Sequence, residues 1–177
     1  DKIISTLAYN YSRSAPTNVT PAKNVNIMFC ATGVNRAVAF INDKSQGSVY
    51  SDLNAWSKLT NNIFFWDYIV DFRHLSLPFP TYQTLRPNIQ LIASNKIIYT
   101  FQNGWGFRGS DMTELKTYLI SQLLWNPDID VKATRDEFVK FYYGDAAPYI
   151  LQYFDALTGY VQTQQIDVTK SDAPLHH

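Results

Sequence analysis

Four short runs of branched and aromatic residues recur along this chain, and the stretches between them are long enough to hold a helix. The runs are residues 3–11, Val25-Asn26-Ile27-Met28-Phe29-Cys30, Ile63-Phe64-Phe65-Trp66-Asp67-Tyr68, and Lys96-Ile97-Ile98-Tyr99-Thr100-Phe101-Gln102-Asn103. They are largely apolar rather than strictly alternating, which is the pattern of strands buried in a parallel sheet. Strands that alternate with helices predict βα units joined by right-handed crossovers. Four such units are half of a (β/α)8 barrel. The expected fold is therefore α/β: four βα units over residues 1–109, an all-helical segment over 110–165 packed on them, and a polar tail over 166–177.

The helical stretches carry their own signals. Residues 50–59 place Leu53, Trp56 and Leu59 near one face, with Ser51 or Asp52 as N-cap. Residues 81–94 carry Tyr82, Leu85, Ile89 and Ile92 at helical spacing, with a break or restart expected at Pro87. Asp111 and Glu114 form a capping-box pattern that starts a helix running to Trp125, stopped by Asn126-Pro127. A further helix is expected from Asp130 to Tyr143, ended by Gly144. The last should run from Asp145 to Gln165, with Pro148 in its first turn and Tyr149, Tyr153, Leu157 and Tyr160 lining one face.

Composition narrows the function classes. Fifteen basic and fifteen acidic residues balance, and no basic patch is visible, so nucleic acid and anionic membranes are poor partners. No apolar run approaches the roughly 20 residues of a membrane-spanning helix. Cys30 is the single cysteine; it cannot form a disulfide within the chain and reads as a small apolar core residue. His74 is the only histidine apart from the terminal His176-His177, so no metal site is expected. Gly104-Trp105-Gly106 lacks the Lys-Ser/Thr of a phosphate loop, so no nucleotide cofactor is expected either. The chain opens on Asp1 without a methionine, almost directly in a strand-like run, and is expected to be an excerpt whose partners include the remainder of its own polypeptide.

Aromatic residues make up 15% of the chain, enough for a large core, a sugar-binding surface, or both. Trp66, Asp67 and Tyr68 bring an indole, a carboxylate and a phenol to the end of one strand. Ring faces cover the apolar C–H face of a pyranose, and a carboxylate accepts from its hydroxyls. Reactive residues of a barrel gather at that end of its strands, which makes Asp67 the candidate catalytic carboxylate; its bland role is to order a loop through backbone amides. Tyr9 and Tyr11 end the first strand. Gln102, Asn103 and Trp105 end the fourth, with Trp105 alternatively closing the rim. His74, in the following Pro-bounded loop, either bonds a sugar hydroxyl or anchors the loop. Glycoside hydrolysis uses a pair of carboxyl groups. The two glutamates, Glu114 and Glu137, lie in the helical third, so at least one catalytic acid is expected outside this chain.

Several segments together carry a resemblance: Asp52-Leu53-Asn54-Ala55-Trp56-Ser57-Lys58; Trp66-Asp67-Tyr68 through His74 and Leu77-Pro78-Phe79-Pro80; and Leu123-Leu124-Trp125-Asn126-Pro127-Asp128 through Glu137-Phe138, Tyr142-Tyr143-Gly144 and Ala146-Ala147-Pro148-Tyr149. From about residue 3 to 160 the chain resembles a bacterial, glycoside-hydrolase-like domain family of formerly unknown function, some of whose members are endo-β-N-acetylglucosaminidases acting on N-glycans. The resemblance implies the C-terminal half of a TIM-like barrel, an oligosaccharide or glycan substrate, and a periplasmic or cell-surface enzyme of glycan breakdown. It also implies a glutamate at the last strand end, where this chain has Gln102. The leading expectation is a hexosaminidase-like glycoside hydrolase. A non-catalytic glycan-binding module and a scaffold domain are the alternatives.

Overall fold

The computed structural model describes residues 2–72, 74–104, 109–166 and 168. Four strands, β1 (Ile4–Ala8), β2 (Val25–Cys30), β3 (Ile63–Tyr68) and β4 (Tyr99–Asn103), form one sheet in the order β1-β2-β3-β4. All three pairings are parallel. Helix α1 (Val49–Leu59) joins β2 to β3, and α2 (Tyr82–Ser94) joins β3 to β4. Helices α3 (Thr113–Trp125), α4 (Val131–Tyr143) and α5 (Ala147–Gln164) follow.

The strand order decides where the helices lie. Crossovers of one hand that always step the same way across a sheet stay on one of its faces, whereas a doubly wound sheet reverses direction and covers both. The packing agrees. Ala8, Phe29 and Phe65 are register neighbours, as are Ile27 and Ile63. These five residues are buried against Val49, Leu53 and Trp56 of α1 and Leu91 and Ile92 of α2. The other face carries Leu7, Met28, Phe64 and Tyr99 in one row and Cys30, Trp66 and Phe101 in the next. Leu7, Tyr99 and Phe101 on that face are 51%, 63% and 45% exposed.

A second core lies among the later helices. Leu115, Leu119 and Leu123 of α3 pack with Leu85 and Ile89 of α2, Val139 of α4 and Phe154 of α5. Residues after α5 are not wholly a loose tail. Val168 is fully buried against Phe79 and Val161, its amide donating to Asn35 Oδ1 at 3.0 Å.

Several element ends differ from the sequence reading, each for a visible reason. Helix α1 starts within one residue of the expected position, but its N-cap is Ser48 and not Ser51 or Asp52: the Ser48 hydroxyl accepts from the Ser51 amide at 3.1 Å, and Asp52 instead pairs with Arg13 at 2.9 Å. Helix α2 runs through Pro87. Proline removes one backbone donor, and the buried stripe of Leu85, Ile89 and Ile92 holds the helix together around that loss. Strand β4 begins at Tyr99 because Lys96, at φ 58°, reverses the chain out of α2 and turns Ile97 into the core. Asp111 does not cap α3: its carboxylate accepts from the Phe79 amide at 2.9 Å and from Lys116 Nζ at 2.7 Å. On α5 the buried face is Ala147, Phe154 and Val161. The predicted tyrosine face, Tyr149, Tyr153 and Tyr160, is exposed, since Phe154 loses nothing by leaving water and a phenol keeps its hydroxyl wet.

The helix-facing core makes a stability prediction. Phe65 is fully buried and stacks on Phe29 at 5.6 Å. Phe65→Ala should cost about 3–5 kcal/mol in urea denaturation. A loss below about 1 kcal/mol would contradict the packing described.

Candidate functional site

Side chains alternate across a strand, and this sorts the residues at the end of β3. Asp67 has the parity of Phe65 and turns toward the helices. Trp66 and Tyr68 turn to the uncovered face. There Trp66 is the centre of an aromatic group: its ring lies 6.2 Å from Tyr9, 5.7 Å from Tyr68 and 5.8 Å from Phe101. Phe72 meets Tyr68 edge-on at 5.6 Å. The buried Cys30 thiol donates to the Tyr68 hydroxyl at 3.8 Å. Burial, with Cys30 and Tyr9 hydrogen-bonded beside it, pushes the Tyr68 phenol well up, so it stays a neutral donor and acceptor. The Trp66 indole Nε1 is buried without a hydrogen-bond partner among the described residues. Asn103 is the register partner of Tyr68, so its amide belongs to the same rim.

Asp67 sits in a different setting. Its Oδ1 accepts from Arg36 Nη1 and from the Tyr68 amide at 2.8 Å. Arg36 Nη2 donates to the Ala31 carbonyl. The guanidinium also lies over the rings of Phe40, at 5.6 Å, and Tyr68, at 5.9 Å. Both partners are almost wholly buried. Burial pushes the Asp67 carboxyl up, and Arg36 and the Tyr68 amide oppose that rise. The Arg36 main chain is held as well: its amide donates to the Val168 carbonyl at 2.5 Å and its carbonyl accepts from Thr84 Oγ1 at 3.1 Å. One buried pair thus links the β2–α1 loop, the end of β3, α2 and the segment after α5.

The remaining predicted site residues fall in several places. Tyr9 joins the aromatic group, whereas Tyr11, in the short turn Asn10–Ser12, is 100% exposed. Gln102 is the register partner of Asp67 and faces the helices. Its Nε2 donates to Thr100 Oγ1 at 2.8 Å, and it lines a cavity of about 330 Å3 with Ile69, Val70, Lys116 and Ile120. His74 is half-buried in the β3–α2 loop, its carbonyl accepting from the Leu77 amide at 3.0 Å. Trp105 lies outside the described residues. Two contributors went unnamed in the sequence reading. Phe101 was available from the alternation of β4. Arg36 was not, because it meets Asp67 across 31 residues.

Among the described residues no group of three or more His, Cys, Asp or Glu could hold a metal ion, and no helix is long and apolar enough to cross a membrane. A family model described as a domain of unknown function, DUF4838, matches residues 1–155. The chain belongs to that family. The matched span runs from β1 to the middle of α5, so the DUF4838 unit includes both the sheet and the helices behind it. Neither a curated protein nor a solved structure matches the chain.

The geometry of this DUF4838 domain assigns Asp67 a testable structural role. Asp67→Asn leaves a buried guanidinium without its counter-charge, which should cost about 3–5 kcal/mol. Combining it with Arg36→Met should cost less than the two single changes added together, by at least about 1 kcal/mol in a double-mutant cycle. Additive losses would mean that the two groups do not act as a pair.

Proposed function

We propose that the uncovered sheet face is the inner wall of a (β/α)8-type barrel, and that its aromatic rim holds a carbohydrate ring for a glycan-degrading, hexosaminidase-like glycoside hydrolase. In this reading the chain supplies the C-terminal half, and the remainder of its polypeptide supplies the strands that close the wall. What supports it most is the group around Trp66, where four rings gather on the sheet face that carries no helices. An indole flanked by phenols offers a flat apolar surface for pyranose C–H groups, with polar edges for the hydroxyls. The unpartnered Trp66 Nε1 supplies a donor, and Tyr68, Tyr9 and Asn103 supply hydroxyl and amide partners.

Two further features favour a barrel wall. Sheets made only of parallel strands occur with both faces covered, and only one face here carries helices. The outer strands are also the exposed ones, with Ile4 and Leu7 of β1 and Tyr99 and Phe101 of β4 open to solvent. Closure of the sheet on further strands would cover these positions.

Hydrolysis needs a carboxyl pair across the scissile bond. The uncovered face of the four strands carries none: its residues are Ser5, Leu7, Asn26, Met28, Cys30, Phe64, Trp66, Tyr68, Tyr99, Phe101 and Asn103. The share of the reaction proposed for this chain is to bind and orient the sugar. Asp67 and Arg36 hold the rim in shape, and the acids come from elsewhere in the barrel.

Calorimetric titration of the full chain with N-acetylglucosamine-containing oligosaccharides tests the reading. Saturable binding is expected. Trp66→Ala and Phe101→Ala should each weaken it at least tenfold, and Trp125→Ala, at a position 91% exposed at the end of α3, should leave it unchanged. No saturable binding, or affinity indifferent to Trp66, would overturn the proposal and leave the rings a packing role alone.

A further inference from the structure

Behind the sheet, a cleft of about 370 Å3 opens between α2, the first turn of α4, and α5. Its walls are Tyr82, Gln83, Arg86 and Pro87 on α2, Val131, Lys132 and Arg135 on α4 after the capping Asp130, and Thr158 on α5. Three buried side-chain polar atoms of this wall lack a hydrogen-bond partner among the described residues: Tyr82 Oη, Gln83 Oε1 and Arg86 Nε. Buried polar groups are ordinarily satisfied, so a cluster of orphans beside one cleft points to a ligand. Tyr82, which carries one of them, is only 7% exposed.

The charges around the cleft are unevenly matched. Arg135 bonds Asp136 at 2.8 Å and Asp155 at 2.9 Å. Lys132 bonds Asp136 at 2.7 Å. Asp130 turns its carboxylate onto the Ala133 amide at 3.0 Å as the N-cap of α4. Arg86 has neither a carboxylate nor a hydrogen-bond partner among the described residues. The start of α4 adds the amides of Val131 and Lys132, which no helical carbonyl can accept from and which carry the positive end of the helix dipole. Pro87 has no amide to give, so the Gln83 carbonyl one turn back lacks its helical donor and stands as an acceptor beside the cations.

We propose that this cleft binds a small oxyanion (a carboxylate, sulfate or phosphate group) with a hydroxyl beside it. Arg86 is the anchoring cation, the Val131 and Lys132 amides and the Tyr82 hydroxyl are donors, and Gln83 accepts from the ligand's hydroxyl. The opposing charge of Asp130 keeps the affinity modest, on the order of millimolar. The site is separate from the aromatic rim, and its test does not depend on that reading.

Titration of the 15N-labelled full chain followed by NMR provides the test, with inorganic phosphate, sulfate and glucuronate as probes and sodium chloride at matched ionic strength as control. Saturable shifts centred on the Val131 and Lys132 amides are expected from at least one probe and not from chloride. Tighter binding of glucuronate assigns the site to the acid group of a sugar, and tighter phosphate or sulfate to a free anion. Arg86→Gln should weaken binding at least tenfold. Should that variant not fold, Lys132→Ala, at a position whose side chain is 70% exposed, should weaken it about three- to fivefold. Absence of saturable shifts with all three probes, or binding unchanged in the variant, overturns the proposal.

Discussion

Every feature of this domain that bears on function depends on the direction in which the chain steps across its sheet. Four parallel strands laid down in sequence order, joined by crossovers of one hand, put all their helices on one side. The helix-facing rows become an ordinary core of Ile27, Phe29, Ile63 and Phe65. The opposite rows are left with Leu7, Met28, Phe64, Trp66, Tyr99 and Phe101. Because side chains alternate, the same topology divides the three functional groups at the end of β3. Asp67 enters the helix layer, and Trp66 and Tyr68 go to the uncovered face. Their adjacency in sequence and their separation in space have one cause.

The Arg36–Asp67 pair is the second constraint. Desolvating two charges is expensive, and a buried pair gives little net stability over apolar residues of the same size. Its effect lies in what it fixes. Arg36 belongs to the long loop between β2 and α1. Through its side chain it reaches Asp67 and Ala31, and through its main chain Val168 and Thr84. Asp67 then takes the Tyr68 amide, and the guanidinium covers one side of the Tyr68 ring. An aromatic residue at a strand end, where the ladder stops, is thereby held from two directions. A carboxylate bound in this way is suited to hold geometry rather than exchange protons with a ligand.

The parts of the fold that were readable in the sequence are those set by local pattern. The four apolar runs were all found, as were Asp130 and Gly144 at the ends of α4. The parts that were not readable are those decided by tertiary partners. Asp52 and Asp111 look like capping residues but are taken by Arg13 and by Lys116 and Phe79. Pro87 looks like a break, and the core holds the helix through it. The tyrosines of α5 share a spacing with Phe154 and Val161, and only packing decides which stripe goes inside. For the candidate site, the grouping of Trp66, Tyr68 and Tyr9 was legible as strand-end chemistry. The division of Asp67 from Trp66 followed from parity alone. The partner of Asp67 did not, since nothing local to residue 36 marks it. The resemblance to a family of unknown function agrees with the DUF4838 match, while the activity attached to it rests on the proposal made above.

The uncovered face also divides along the strand direction. The lower row, Leu7, Met28, Phe64 and Tyr99, is mostly aliphatic or plainly aromatic, and such surface is stabilised by other side chains. In a closed barrel it would become one of the packed interior layers. The upper row and rim differ in kind. Trp66 brings an unpartnered N–H, Tyr9 and Tyr68 bring hydroxyls, and Asn103 brings an amide. Apolar packing there would leave the Trp66 N–H stranded at a cost of about 1–3 kcal/mol, whereas in the proposed reading a polyhydroxylated ring satisfies it while covering the aromatic faces. In the barrel proposed above, the Leu7-to-Tyr99 row is the part of the wall that another protein segment would cover, and the rim around Trp66 is the part that a sugar would. It is this change in chemistry between neighbouring rows, more than the number of aromatic residues, that favours a binding mouth over a uniform packing surface.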